Sequence, residues 1–180
     1  MFRYLYENFI QRALRRAARS RFVPALTGLL ALVQTATLSL PVTAVVVPAV
    51  LIARPQWKSI VLQAAFGSAL GATLLVMVFH DWGWQAINAA FPTLLGSPAG
   101  QHVVAWVGKW GLLGLFAIAA LPVPQAPALV FFALGQPVAL QILVALLAGK
   151  LIKYGVVAGA TVLFPEKFGA LIMRRVSRRR

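Results

Sequence analysis

The chain contains no cysteine and few side chains suited to catalysis or metal binding. The absence of cysteine excludes disulfide bridges, thiolate nucleophiles and cysteine metal ligands. The acidic residues number three in 180, at Glu7, Asp81 and Glu166, and the two histidines are His80 and His102. These groups are too few for a metal site and poorly suited to general acid–base chemistry. We therefore expect no metal, no cofactor and no enzymatic activity.

Positive charge dominates instead, and its placement points to a membrane. The chain is 61% hydrophobic, with mean hydropathy +0.84 and formal net charge +14. This composition is typical of an integral membrane protein. Six of the 17 basic residues lie in 1–21 and six in 167–180, on either side of the apolar body. This positive-inside pattern predicts anionic lipid headgroups, rather than nucleic acid, as the natural partner.

Both ends of the chain are amphipathic. Residues 1–21 place apolar side chains at helical spacing opposite a row of arginines. This pattern predicts a basic helix that lies in the membrane interface. Residues 166–180 predict an amphipathic basic tail, and the charge bias places both termini in the cytoplasm.

Residues 22–165 form the predicted membrane domain, which reads as two similar halves joined by a connector at 80–109. The first half, 22–79, holds an apolar segment broken around Pro41 and Pro48, a basic turn, and a clean span at 59–79. The second half, 110–165, holds a segment broken at 122–127 and a span at 138–164. Proline interrupts helices because it lacks the backbone donor and clashes with the preceding turn.

Two lysines lie inside the last span. Lys150 and Lys153 are three residues apart, so a helix brings them onto one face. The centre of the bilayer is ~15 Å from either surface, which is too far for a lysine side chain to reach the headgroups easily. Two amines in this place require an anion, a water-filled cavity or the loss of a proton. A tolerated structural pair is the alternative.

The two halves align at an offset of 81 or 82 residues. Leu40-Pro41-Val42 matches Leu121-Pro122-Val123, and Gly67, Ser68 and Gly71 match Gly149, Lys150 and Lys153. If the broken segments dip into the membrane and return, the chain is an inverted repeat of two re-entrant helical hairpins, each followed by a transmembrane helix. If they cross fully, there are four spans. Charge bias favours the hairpins, whose tips are Pro41, Thr43, Pro122, Pro124 and Gln125.

The order of these features resembles the DedA family of SNARE-associated (VTT) membrane proteins, in particular its short YqaA-like branch. The resemblance covers about residues 22–165 and is strongest in Trp110-Gly111, Pro122-Val123-Pro124 and Gly149-Lys150-Leu151-Ile152-Lys153-Tyr154. It implies two opposed re-entrant hairpins in a bacterial inner membrane. It also implies movement of polyprenyl phosphates or phospholipids between leaflets.

This chain departs from the family pattern in its charges. Thr43, Ala44 and Val45 stand where the family has an acidic residue, and Gln125 lies near an expected basic one. Both family arginines are replaced by lysines, which keep the charge but lose bidentate phosphate binding. These departures favour a passive scramblase over a proton-coupled pump.

The sequence therefore predicts a transporter or scramblase for phosphate-bearing lipids. Lys150 and Lys153 are the expected phosphate-binding residues, Thr43 and Gln125 are expected hydrogen-bond donors, and Gly67, Gly71 and Gly149 are expected to permit close helix packing. The alternative is a non-transporting accessory protein that supports a partner complex in the membrane. An enzyme acting on lipid phosphates is least favoured. A homodimer or a membrane partner is expected to cover part of each hairpin.

Overall fold

The computed structural model of the chain describes residues 22–39, 41–90, 97–135 and 138–164. Within these ranges it is all-helical and has no β-strand, which confirms the predicted all-α class. The predicted interfacial helix at 1–21 and the basic tail at 166–180 lie outside the described residues. In chain order the helices are α1 (Phe22–Ala36), α2 (Thr43–Ile52), a 3₁₀ turn (Arg54–Gln56), α3 (Trp57–Ala90), α4 (Pro98–Trp110), α5 (Leu112–Ala120), α6 (Ala126–Ala133) and α7 (Ala139–Leu163).

Two of the described helical segments are long and apolar enough to cross a membrane. They are Arg54–Gly83, with 30 residues, and Ala139–Leu163, with 25 residues, against the ~20 that a bilayer requires. The first extends beyond the predicted span 59–79 at both ends. Its regular geometry breaks at Gly83, where φ is 72°, before the chain continues as helix to Ala90. Part of the expected connector is therefore helical.

A tight turn at the predicted break separates α1 from α2. The Leu38 amide donates to the Thr35 carbonyl at 3.3 Å, and the Ser39 amide donates to the Gln34 carbonyl at 3.2 Å. This pair of bonds is a Schellman motif, in which the residue with positive φ is usually glycine. Here that residue is Leu38, with φ 51°. Pro48, by contrast, lies inside α2 and does not end it.

Prolines define the second turn. α5 ends at Ala120, and Leu121 adopts the extended conformation that a following proline favours. α6 begins at Ala126 and carries Pro127 in its first turn, where a missing amide donor costs nothing. The second apolar segment therefore turns within the predicted interval 122–127.

Each long helix packs closely against the first helix of its own half. A Cβ atom on Gly67 would overlap the Gly28 carbonyl, and one on Gly71 would lie 2.5 Å from the Leu32 carbonyl oxygen. Since positions 28 and 32 meet positions 67 and 71 in the same order, α1 and α3 run parallel. Gly149 meets α5 in the same way, because its Cβ would lie 2.5 Å from the Phe116 carbonyl oxygen.

The two long helices, α3 and α7, run in opposite directions. One buried cluster contains Ala64 of α3 and Ala158 of α7, and another contains Val76 of α3 and Ile142 of α7. Residue numbers thus rise along α3 in the direction in which they fall along α7. The first hairpin consists of α1 and α2, and the second of α5 and α6. In each hairpin the second helix packs on the long helix of the other half: α2 packs on α7, and α6 packs on α3. Each hairpin is therefore held by both long helices.

Replacing Gly67 with alanine tests the close approach of α1 and α3. We expect Gly67→Ala to lower the free energy of unfolding by about 1–3 kcal/mol, since the added methyl group must displace the α1 backbone. Gly155→Ala is the matched control, because a Cβ at Gly155 meets no atom within 4 Å. Equilibrium unfolding in mixed detergent micelles measures both variants. Equal stabilities for the two would contradict this packing.

Candidate functional site

A cavity of about 470 Å³ lies between the two hairpin turns. Both halves of the chain contribute to its wall. The lining residues are Gln34, Thr35, Leu38, Pro41, Val42, Thr43 and Ser68 from the first half, and Val123, Pro124, Gln125, Ala126, Lys153 and Tyr154 from the second. The volume is within the roughly 300–1,000 Å³ typical of small-molecule sites.

Lys153 is the basic residue in the cavity wall. Its side chain is partly exposed, and its amine donates to the Leu121 carbonyl at 2.8 Å. Leu121 caps the C-terminal end of α5, where the last carbonyls have no partner within the helix. A cation is favourable at this end because the helix dipole leaves partial negative charge there. Lys153 thus stabilises the second hairpin turn and keeps its amine beside the cavity.

Lys150 is not part of the cavity lining and lies in the interface between α3 and α7. Only 1% of its surface is exposed. Its amine donates to the Ser68 carbonyl oxygen at 2.8 Å and to the Ser68 Oγ at 2.7 Å. A buried amine is tolerated when hydrogen-bond acceptors replace the water that it loses. Ser68 supplies two of them.

The Ser68 hydroxyl is the centre of a buried hydrogen-bond cluster. Besides the Lys150 amine, the Tyr154 hydroxyl donates to the Ser68 Oγ at 3.1 Å, and the Thr35 hydroxyl lies 2.7 Å away. A serine hydroxyl accepts two hydrogen bonds and donates one. Since Lys150 and Tyr154 both donate to it, the Ser68 proton goes to Thr35. The cluster joins α1, α3 and α7 at the edge of the cavity.

Gln34 adds an acceptor to the cavity wall. Its Oε1 is buried and has no hydrogen-bond partner among the described residues. A buried carbonyl oxygen without a donor is unfavourable by about 1–3 kcal/mol. The residue thus brings a buried, unpaired acceptor into the wall of the cavity.

The structure brings together some of the predicted site residues and separates others. Pro41, Thr43, Pro124, Gln125 and Lys153 all line the cavity. Lys150 and Pro122 do not, and the three predicted packing glycines lie at helix contacts away from its lining. The two lysines share a helix face but bond to different neighbours, α3 for Lys150 and the end of α5 for Lys153.

Sequence reasoning missed four polar residues at the site, namely Gln34, Thr35, Ser68 and Tyr154. One signal was present for Ser68, which matches Lys150 in the internal alignment of the two halves. Corresponding positions meet where two related halves pack about a common axis. The internal alignment of the two halves gives no such signal for Thr35 or Tyr154.

The histidine and acidic side chains of the described residues lie elsewhere. The His80 Nδ1 is 2.8 Å from the Ala133 carbonyl oxygen, at the far end of α3. Asp81 is 13 positions beyond Ser68 along α3, or roughly 20 Å at the helical rise. The described residues contain no group of three His, Cys, Asp or Glu side chains that could hold a metal ion. The lining of the cavity among the described residues therefore includes no histidine and no carboxylate.

Comparison of the chain with protein-family models, with curated proteins and with solved structures finds no match.

The buried cluster is testable by a double-mutant cycle on Ser68 and Lys150. We expect Ser68→Ala to cost about 2–3 kcal/mol, because the Lys150 and Tyr154 donors lose a buried acceptor and Thr35 loses a donor. Lys150→Met should cost less, since an apolar side chain of similar length removes the need for that acceptor. In the Lys150→Met background, Ser68→Ala should then cost about 1 kcal/mol less than alone. Unfolding in mixed micelles provides the four stabilities. Additive effects would contradict the coupling.

Proposed function

We propose that this chain is an integral membrane protein that moves phosphate-bearing lipids between the leaflets of a bacterial inner membrane, as its resemblance to the DedA family implies. The observation that carries the proposal is the cavity between the two hairpin turns. It combines one amine, from Lys153, with uncharged polar groups and apolar walls. This combination suits an anionic headgroup whose hydrocarbon remains in the bilayer.

Helix lengths are compatible with re-entrant hairpins. α1 has 15 residues and α2 has 10, so they extend roughly 22 Å and 15 Å at the helical rise. α5 and α6 are shorter, with 9 and 8 residues. A bilayer core is ~30 Å thick, which none of these helices can cross alone. Each hairpin can enter the membrane and return.

The depth of the first turn supports the same topology. Thr35, near the end of α1, bonds to Ser68, which lies 11 residues after the start of α3. That distance is roughly 16 Å, about half of the bilayer core. The cavity is therefore expected near the midplane, where backbone outside regular helices must be buried in protein or face water.

The outer surface of α7 supports a lipid environment. Large apolar side chains of this helix remain exposed, among them Leu140, Val144, Ile152, Val156 and Leu163. Contiguous apolar surface of this kind is unfavourable in water and favourable against lipid.

In the proposed mechanism, the headgroup phosphate enters the cavity and binds the Lys153 amine, with Thr43 and Gln125 as further donors. An anion near the middle of a bilayer meets a large electrostatic barrier, and a nearby cation lowers it. The cavity lining contains no acidic residue. Transport is therefore expected to be passive, as in a scramblase, with no proton coupling through the cavity.

Single cysteines distinguish the two topologies, because the chain has none of its own. With re-entrant hairpins, Lys58→Cys and Arg180→Cys react with a membrane-impermeant thiol reagent from one side, and Lys109→Cys reacts from the other. With four spans, the cysteines at 109 and 180 share a side and the one at 58 is alone. Labelling of intact cells and of inverted membrane vesicles reads out the pattern.

Flipping in liposomes tests the function itself. Purified protein is reconstituted with a fluorescent lipid phosphate, and the outer-leaflet fraction is followed with a quencher. We expect Lys153→Ala to slow flipping about tenfold or more, since a hydrogen bond to a charged group contributes roughly 1.5–3 kcal/mol. Lys153→Arg should retain activity. Lys109→Ala is the matched control, because Lys109 is exposed on α4 and outside the cavity.

The outcomes separate the proposed function from the alternative. Equal flipping by wild type and Lys153→Ala would keep transport and remove Lys153 from the site. An absence of flipping by folded wild-type protein would favour the non-transporting accessory protein. Circular dichroism and a melting curve establish that each variant is folded.

A further inference from the structure

An apolar groove adjoins the cavity on the side of α1 and α3. Its volume is about 310 Å³. The groove lies between the last turn of α1 and the part of α3 beyond Ser68. Its lining residues are Ala36, Thr37, Leu38, Leu74, Leu75, Val78, Phe79 and Trp82. Thr37 is the polar member, and its hydroxyl already donates to the Val33 carbonyl at 2.8 Å.

Leu38 lines both the cavity and the groove. It is also the residue with positive φ in the turn after α1, where glycine is favoured. A side chain kept in an unfavourable backbone conformation suggests a role for that side chain. The Leu38 side chain packs against the buried cluster that contains Val76 and Ile142, and it lies at the boundary between the cavity and the groove.

The outer side of the groove is open along α3. Leu74, Val78 and Trp82 are 48%, 43% and 53% exposed. The Trp82 ring lies 6.2 Å from the Phe79 ring, centroid to centroid, and the two form one end of the wall. An elongated apolar molecule can therefore leave the groove sideways while one end stays next to the cavity.

We propose that this groove binds the hydrocarbon chain of the lipid whose phosphate occupies the cavity, with Leu38 at the junction of headgroup and tail. The inference rests on the proposed function and adds the part of the substrate that the groove recognises. An amphiphile fits the continuity of a cavity that holds an amine and uncharged polar groups with an apolar groove, whereas a free phosphate ion would use the cavity alone. The site thus selects a lipid phosphate by both ends of the molecule.

Photolabelling tests the groove independently of transport. The full chain is reconstituted in phosphatidylcholine vesicles that contain a phosphatidic acid with a diazirine midway along one acyl chain. We expect crosslinks on Leu74, Val78 or Trp82, identified by mass spectrometry. Unlabelled phosphatidic acid should reduce them, and diacylglycerol, which has the same chains without phosphate, should not.

A groove-filling variant provides the matched comparison. Val78→Trp should lower both crosslinking and flipping about tenfold, because the larger indole ring would occupy part of the groove that the hydrocarbon chain requires. Val144→Trp makes the same change on an exposed valine of α7 that lines neither space, and should leave both readouts unchanged. Melting curves show whether each variant is folded.

Each result has a defined meaning. Crosslinks spread equally over exposed α3 and α7 residues, or centred on Trp106 and Ile118 in another apolar pocket near Val123, would overturn the tail site. If flipping still depends on Lys153 in that case, the proposed function survives. Groove crosslinks that phosphatidic acid displaces, without any flipping, would support the tail site and remove the transport function. Crosslinks that diacylglycerol displaces equally well would overturn joint recognition of phosphate and tail.

Discussion

The hydrogen bonds from the Lys150 amine to Ser68 join the two long helices at the level where the first hairpin turns. The rest of the structure depends on this contact, because each hairpin packs on both long helices. If α3 and α7 separated, α2 and α6 would each lose the partner helix from the other half. The cavity would lose its shape as well, since its wall comes from both hairpin turns. A buried polar contact can specify a single register between two antiparallel apolar helices, which uniform apolar packing specifies poorly.

Features that follow directly from a proline or a glycine at a given position could be predicted from the sequence. Proline at 122 and 127 ends or begins a helix through its missing amide and its fixed φ, and Pro41 lies in the turn before α2, whereas Pro48 lies inside α2. Glycines at 67 and 149 occupy corresponding positions in the two halves and lie at helix contacts too close for a Cβ atom. No proline marks the end of the first long helix, so the sequence did not indicate that this helix extends to Gly83.

The polar site was less predictable because it depends on which neighbours a helix acquires. Periodicity puts Lys150 and Lys153 on one face of α7, as the sequence indicates. That face, however, lies between α3 and the end of α5, and each lysine turns to a different one. Four rotatable bonds let two nearby lysines diverge by several ångströms, and only the tertiary contacts decide their directions. Ser68 was recoverable in principle from its match to Lys150. Thr35 and Tyr154 resemble ordinary residues of an apolar helix, so their role in the cluster appears only with the fold.

The partners of Lys150 also explain why lysine suits this position better than arginine would. The ammonium group has three donors, and Ser68 accepts from two of them within a nearly fully buried space. A guanidinium group carries five donors in a rigid plane. It would leave more of them unpaired beside the same serine, at a cost of roughly 1–3 kcal/mol for each buried unpaired group. Lysine at 150 therefore fits a structural role between the halves, whereas Lys153 is the lysine that lines the cavity.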